Sequence, residues 1–260
     1  MNPLLKQVFS SGGGTQSTAI AVLILQGKLP KPDFCVIADT GREMPTTFTY
    51  FNRWTKPALD AFGVRCAIVT QHWCSDSAKG EFHASGSILI PAFSNQGGAY
   101  SKLPNFCTNE WKVRVVERFL RDQGLKRNEW VKWIGFSFDE PRRIQRMMQG
   151  EEYKRGLVRF PLMELQMKRQ DSKKLVRDFG WPEPPRSRCW MCPNQSDREW
   201  AEVRVDWPEY WEKAVQLDES IRQRDAHAYL HSSVSPLRTA SLEQHDDLFS
   251  GSCPSWECFL

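Results

Sequence analysis

Leu4-Leu5-Lys6-Gln7-Val8-Phe9-Ser10-Ser11-Gly12-Gly13-Gly14-Thr15-Gln16-Ser17-Thr18-Ala19-Ile20-Ala21-Val22-Leu23-Ile24-Leu25-Gln26 is the stretch on which the fold turns. Leu4–Phe9 is an apolar run of strand length, Ser17–Gln26 is an apolar helix, and three consecutive glycines separate them. A strand that passes through a glycine turn into a helix puts the first-turn N–H groups and the positive end of the helix dipole beside the loop. That arrangement favours an anion. Gly12, Gly13 and Gly14 let the backbone approach a phosphate closely, and Ser10, Ser11, Thr15 and Ser17 add hydroxyl donors. No lysine precedes Ser17, so the pattern is not that of an ordinary P-loop NTPase.

Outward from this unit the same alternation continues. Phe34–Ala38 reads as a second buried strand, Thr46–Phe62 as a helix and Val64–Val69 as a third strand. This βαβαβ order predicts a parallel sheet with helices on its faces. Gln71–Asn105 is rich in Gly and Pro and reads as a long excursion over the site. Glu110–Gln123 reads as helix, with strands at Trp130–Gly135 and Gly156–Phe160. Asp171–Phe179, Asp197–Val205 and Tyr210–Arg224 read as helices of a mainly α C-terminal part, reached through the proline-rich linker Trp181–Ser187. The chain after Leu230 is Ser-rich and reads as irregular. The expected division is an α/β domain over residues 1–165 and a helical, Cys/Trp-rich metal-binding region over 166–260.

The 260 residues are 40% hydrophobic, enough for a full core, and the net charge is only +4. That charge does not by itself imply nucleic-acid binding, although Arg142–Arg188 is basic and Gln216–Leu260 acidic. No apolar run approaches the roughly 20 residues that cross a bilayer, and the N-terminus has no signal-peptide pattern, so a soluble cytoplasmic protein is expected, without a membrane. In that compartment the eight cysteines point to metal ligation or redox chemistry rather than disulfides.

Cys189-Trp190-Met191-Cys192-Pro193 is a C-x-x-C-P unit whose two thiolates can reach one metal or cluster. Trp181, Trp190, Trp200, Trp207 and Trp211 crowd around it in sequence and suggest a dry shell. Cys107, Cys189, Cys192 and Cys258 make the expected ligand set, with Cys253 as the substitute for Cys258. Four thiolates suit a [4Fe–4S] cluster or a zinc ion. A thioredoxin-like pair and cysteines packed in an aromatic core are the other readings. Cys35 and Cys66 read as packing residues in strands. His227 and His231 read as one face of a helix end and take no chemistry.

Several of these segments match one family in register. Ser11–Ser17 (SGGGTQS) resembles the PP-loop of the adenine nucleotide α-hydrolase-like superfamily, usually S-G-G-x-D-S, with Gln16 in place of Asp and one glycine more. Ala38–Thr46 (ADTGREMPT) resembles the D-T-G-x-x-x-P-E-T stretch of phosphoadenosine-phosphosulfate (PAPS) reductases. Phe106–Lys112 (FCTNEWK) resembles the C-T-x-x-x-K stretch of that family. Gly135–Arg143 (GFSFDEPRR) resembles its G-[IV]-R-x-x-E-S-x-R loop, with Ser137 where the family often has Arg.

This resemblance to the PAPS reductase-like family implies a Rossmann-like parallel sheet that binds ATP or PAPS. The nucleotide would lie on Ser10, Ser11, Gly12, Gly13, Gly14, Thr15, Gln16 and Ser17, with the adenosine at Ala38, Asp39, Thr40 and Gly41, the C-terminal end of a parallel strand. Asp39 could otherwise serve only to cap the helix starting near Pro45. Lys112, Arg142 and Arg143 would meet phosphate or sulfate oxygens. Cluster-bearing relatives tilt the metal towards [4Fe–4S] over zinc. Trp256–Leu260 (WECFL) resembles the E-C-G-[IL]-H tail of sulfonucleotide reductases, with Phe259 for Gly and no His, so Cys258 is either nucleophile or ligand.

The implied activity is nucleotide-dependent sulfur transfer or adenylation of an acceptor, with nucleic acid among the candidate acceptors. A sulfonucleotide (PAPS or its unphosphorylated relative) reductase using Cys258 is the alternative enzyme. A non-catalytic nucleotide-binding subunit of a nucleoprotein or defence complex is the alternative from another class. A homodimer is open.

Overall fold

The structure is a computed structural model that describes residues 5–70 and 80–243. In chain order the elements are β1 (Lys6–Ser11), α1 (Thr15–Leu25), β2 (Phe34–Ala38), α2 (Pro45–Tyr50), α3 (Lys56–Ala61), β3 (Arg65–Val69), β4 (Phe93–Ser94), β5 (Ser101–Lys102), α4 (Phe106–Thr108), α5 (Arg114–Asp122), β6 (Trp130–Ile134), α6 (Pro141–Met148), α7 (Glu151–Lys154), β7 (Val158–Arg159), α8 (Pro161–Glu164), α9 (Arg169–Asp178), α10 (Asp197–Asp206), α11 (Pro208–Arg224) and β8 (Ala228–Tyr229). π-helical turns at Phe51–Thr55 and Asn109–Val113 join α2 to α3 and α4 to α5. The chain divides into two compact units, Met1–Trp73 with Arg114–Arg188 and Cys74–Val113 with Cys189–Leu260.

The first unit is α/β, built on a five-stranded sheet in the order β3-β2-β1-β6-β7, with every pair parallel. Its strands are apolar on both faces because both are covered. Phe9, Cys35, Ile37, Val131 and Trp133 alternate onto the face that packs with Ile20, Ile24, Phe51 and Leu59 of the α1–α3 layer. Phe34 points the other way and meets Phe119 of α5 edge-on, with ring centroids 6.4 Å apart. This is the Rossmann-like class expected from the βαβαβ alternation.

The boundary differs from the expected break after residue 165. Helix α9 lies against α1, and Val176 is fully buried with Ile20 in the core, joined by Leu175, Phe179 and Trp181. Residues 166–188 therefore belong to the parallel-sheet unit. The helix itself was expected at Asp171–Phe179; its mostly charged composition hid the apolar side that completes the α1 face.

The second unit is mainly helical with a three-stranded antiparallel sheet, β5-β4-β8. These strands are two residues long, too short to leave a period in the sequence. The described part of the expected excursion thus supplies regular structure to this unit, while residues 71–79 lie outside the description. Helix α10 starts at a reciprocal cap, in which the Ser196 N–H donates to Glu199 Oε2 (2.9 Å) and the Glu199 N–H to Ser196 Oγ (3.4 Å). The fully buried Asp218 of α11 accepts from the N–H groups of Leu230 (2.8 Å) and Leu237 (3.0 Å) and from Arg222 Nε (3.2 Å), which fixes the segment after β8. Among the described residues no helix is long and apolar enough to cross a membrane.

Candidate functional site

Strand order reverses at β1, which pairs with β2 on one side and β6 on the other. In open parallel sheets the crevice outside the strand ends at such a point is where ligands bind. The glycine loop occupies that position. Its geometry is set by its own hydroxyls, since the Gly12 N–H donates to Ser17 Oγ (2.8 Å) and the Gly13 N–H to Ser11 Oγ (3.2 Å). The first helical bond runs from the Thr18 N–H to the Gly14 carbonyl (2.9 Å), so the N–H groups of Thr15, Gln16 and Ser17 lie ahead of the helical ladder, available to an anion. The amides of the helix first turn are thus the ones open to an anion, since those of Gly12 and Gly13 already donate to Ser17 and Ser11.

Two of the glycines are there for space. Gly13 has φ +72°, and a Cβ on it would stand 2.7 Å from Thr47 Cγ2 and 3.0 Å from Ile37 Cδ1. A Cβ on Gly14 would meet Ser187 N at 3.1 Å and Ser187 Cβ at 3.2 Å. The expected linker therefore runs directly beside the loop. It is held there by Tyr50, whose hydroxyl donates to the Pro182 carbonyl (2.8 Å), and by the Met44 N–H, which donates to the Arg188 carbonyl (2.9 Å). Thr47 is fully buried, and its Oγ1 has no hydrogen-bond partner among the described residues. Neither Ser187 nor Thr47 was legible as a site residue, because both come to the loop from other segments.

The loop after β6 forms the other wall. Gly135 packs close, a Cβ there falling 3.4 Å from Gln16 Cβ and 3.5 Å from Ser17 N. Glu140 is the hub. Its Oε2 accepts from Gln16 Nε2 (3.3 Å), from the Ser137 N–H (3.1 Å) and from Ser137 Oγ (3.1 Å), and its Oε1 accepts from Arg143 (2.6 Å). Gln16, which departs from the usual acid of the motif, is thus an amide donor facing a carboxylate. Ser137 is fully buried and spends its hydroxyl on Glu140. Arg143 pairs with Glu140 and lies over the Phe136 ring at 4.2 Å, while Arg142 is exposed beside it on α6. Glu140 was within the quoted motif, and only its role as the hub was missing from the sequence.

At the end of β2, Asp39 Oδ1 accepts from the Gly41 N–H (2.7 Å), and Gly41 itself has φ +70°. Thr40 donates to Glu43 through both its N–H (3.1 Å) and its hydroxyl (2.6 Å), and Arg42 donates to the Thr40 carbonyl (2.7 Å). Asp39 closes a turn of its own rather than capping α2, whose N-cap is Met44 with no side-chain bond. Ala38, Asp39, Thr40 and Gly41 thus form a rigid rim in the same unit as the glycine loop.

The second unit holds the cysteines. The Cys107 N–H donates to the Leu89 carbonyl (2.8 Å) and its thiol to Asn105 Oδ1 (2.9 Å). Burial, with the charge of Cys192 adding to it, pushes the Cys107 thiol up to about 11, and Lys112 acts in the opposite direction. Lys112 thus bears on a thiol. The Cys192 N–H donates to the Cys189 carbonyl (3.1 Å), closing the C-x-x-C turn, and Gln195 braces it by donating to the carbonyls of Cys192 (3.2 Å) and Trp190 (3.1 Å). Lys102 bonds Asn194, lies 4.5 Å from the Phe93 centroid, and has its pKa lowered by burial, against the influence of Cys192.

Cys107 and Cys192 thus sense one another, yet among the described residues no three His, Cys, Asp or Glu side chains converge as a metal set. Cys258 and Cys253 lie outside the described residues, as do Cys74, His72 and His245. The expected aromatic shell is narrower than the sequence suggested. Trp181 packs on Phe179 and Trp54 in the other unit, whereas Trp190 and Trp207 meet Tyr210, and Trp200 meets Trp211. His227 and His231 flank β8 rather than sharing a helix face. They bond Asn95 and the pair Asp197 and Ser233, as structural contacts.

Compared with known proteins, the chain matches no family model, and no curated protein matches it.

Proposed function

We propose that this chain is a PAPS reductase-like PP-loop enzyme that binds an adenine nucleotide, ATP or PAPS, and catalyses nucleotide-dependent sulfur transfer or acceptor adenylation, with a cysteine-held metal centre. The observation that supports it is the crevice at the strand-order reversal, where the first turn of α1, the glycine loop and the Gln16–Glu140–Arg143 set share one edge of the sheet. On this reading the Thr15, Gln16 and Ser17 amides hold phosphate oxygens, Ala38–Gly41 bounds the adenosine, and Arg142 stabilises charge as it develops on the phosphoryl group. Arg143 acts by holding Glu140 in place.

Cys107, Cys189 and Cys192, completed by Cys258 or Cys253, would hold the metal. The chemistry of the donors fits, because a metal replaces thiol protons and supplies the positive charge that a buried Cys107 thiolate beside Cys192 would need. A [4Fe–4S] cluster would supply electron or sulfur chemistry and zinc a structural clamp. Against the sulfonucleotide reductase alternative, the buried Ser137 serves Glu140 where the family often presents an arginine.

Calorimetric titration of the whole chain with ATP, PAPS and GTP tests the reading. Saturable binding of ATP or PAPS that exceeds GTP at least tenfold, and that Gly14→Val abolishes in a folded protein, is the expected outcome. Absence of adenine-nucleotide binding, or equal binding of GTP, would overturn it. Loss of sulfite release from PAPS in Cys258→Ser would instead select the reductase.

A further inference from the structure

Cys35 and Cys66 are register partners on the adjacent parallel strands β2 and β3. Side chains at paired positions of parallel neighbours point to the same face, and both residues pack on the core that faces the α1–α3 layer. Neighbouring strands lie roughly 4.7–4.9 Å apart, inside the roughly 4.4–6.8 Å range of Cα separations that a disulfide spans. The two thiols are close enough to influence one another electrostatically. Nothing in the nucleotide crevice or the cysteine unit uses either residue.

The two differ in access. Cys35 is fully buried, whereas Cys66 is partly exposed. Lys56 and Asp60 of α3 form an ion pair (2.5 Å) that lies within electrostatic reach of both sulfurs. The sulfur that a peroxide can reach is therefore that of Cys66, with Cys35 behind it in the core.

We propose that Cys35 and Cys66 are an oxidisable dithiol that a hydroperoxide converts into a disulfide stapling β2 to β3. The Cys66 thiolate attacks one peroxide oxygen, the O–O bond breaks, and Cys66 becomes a sulfenic acid as the released hydroxide takes a proton to form water. Cys35 sulfur then attacks the Cys66 sulfur, the S–O bond breaks, and the second hydroxide leaves as water with the Cys35 proton. Two thiols and one hydrogen peroxide give one disulfide and two waters, a two-electron oxidation that an external dithiol reverses. Cys35 is the resolving residue because it is fully buried, out of reach of the peroxide, and stands opposite Cys66 on the neighbouring strand.

The test is peptide mapping of the full-length protein after graded hydrogen peroxide, with free thiols blocked by N-ethylmaleimide under denaturing conditions. The expected product is a single cross-linked species containing the Cys35 and Cys66 peptides, two hydrogens lighter than their sum, that disappears on treatment with dithiothreitol. In Cys66→Ser, checked for native circular dichroism, Cys35 stays fully alkylated at the same dose. In Cys35→Ala, Cys66 runs on to sulfinic acid. Both residues recovered as alkylated thiols from wild type, at doses that oxidise other cysteines of the chain, would overturn the proposal. So would Cys66 reaching sulfinic acid equally in wild type and Cys35→Ala.

Discussion

Around the glycine loop of the parallel-sheet unit, most polar groups answer one another. Gly12 and Gly13 bond Ser17 and Ser11, Thr40 bonds Glu43, and Gln16 and Ser137 bond Glu140, with Thr47 Oγ1 the exception. Around the C-x-x-C turn of the other unit, Gln195 Oε1 and Trp200 Nε1 are buried without a hydrogen-bond partner among the described residues, and Cys107 carries a thiol that resists ionisation. Buried polar groups left unmatched cost stability, and matched networks fix geometry. The crevice is therefore preorganised by its own side chains, while the order of the cysteine unit rests on Asp218, on aromatic packing and, on the proposed reading, on a metal.

The largest effect tests the cysteine side of this contrast. Protein purified anaerobically is expected to hold iron and sulfide at roughly four each per chain, and Cys192→Ser is expected to lose both while ATP binding persists. One zinc, or no metal in either protein, would end the cluster assignment. The pH dependence has a definite sign. The ligand must be thiolate, and Cys107 keeps its proton up to about pH 11, so protons compete with the metal throughout the neutral range. Uptake by the metal-free protein should strengthen from pH 6 to 9, measured as chelator concentration at half-loss, and a flat profile would exclude Cys107 as a ligand. In the metal-free protein the folded-state value above the ordinary 9.0 also means that stability falls as pH rises from 9 through about 11.

Asp218→Ala comes next. It leaves the N–H groups of Leu230 and Leu237 and the guanidinium of Arg222 without their acceptor inside α11's packing. A loss of about 3–5 kcal/mol in urea unfolding is expected. Exposed Arg238, paired with Glu212 and Glu219, is the control, and Arg238→Ala should leave the urea midpoint nearly unchanged. Equal costs would mean that the cysteine unit does not depend on this anchor.

On the crevice side, Gly13→Ala imposes a side chain at φ +72° within 2.7 Å of Thr47, whereas Gly27→Ala meets the backbone penalty alone, with nothing within 4 Å. About 2–4 kcal/mol is expected for the first and about 1 kcal/mol for the second, by urea unfolding. Similar values would show that Thr47 yields easily and that the loop is less rigid than its bonds suggest.

The sequence showed the sheet because β2 is buried on both faces and reads as an unbroken apolar run, and β1 and β6 are mostly apolar and largely buried. It showed the glycine loop because three glycines in a row have few uses between a strand and a helix. It missed α9's place because a helix of mostly charged residues needs only Leu175 and Val176 to complete another helix's face. It missed β4, β5 and β8 because two-residue strands are created by their partners. Glu140 was visible only as a letter in a motif, since the bond from Gln16 spans 124 positions, and no local pattern announces a pairing at that range. Ser187 at Gly14 was hidden for the same reason.

The smallest expected effect bears on whether the amide at position 16 is there for charge or for shape. Gln16→Glu keeps the side-chain length but turns the donor that faces Glu140 Oε2 into a second acceptor, 3.3 Å away in the parent protein. Like charges at that distance repel, and Arg143 already pairs with the other oxygen of Glu140, so it offers only partial relief. The repulsion should open the wall between the loop and β6 and weaken ATP binding about tenfold at pH 8, about 1.4 kcal/mol, with unfolding almost unchanged. Two close carboxylates share a proton more readily than isolated ones, so the defect should shrink as pH falls towards about 5. Adding Glu140→Gln restores a donor on the opposite side, and the double variant should regain most of the affinity at pH 8. If the double variant stays as weak as Gln16→Glu, the carboxylate of Glu140 is needed for something other than holding Gln16, and the pair is not a latch.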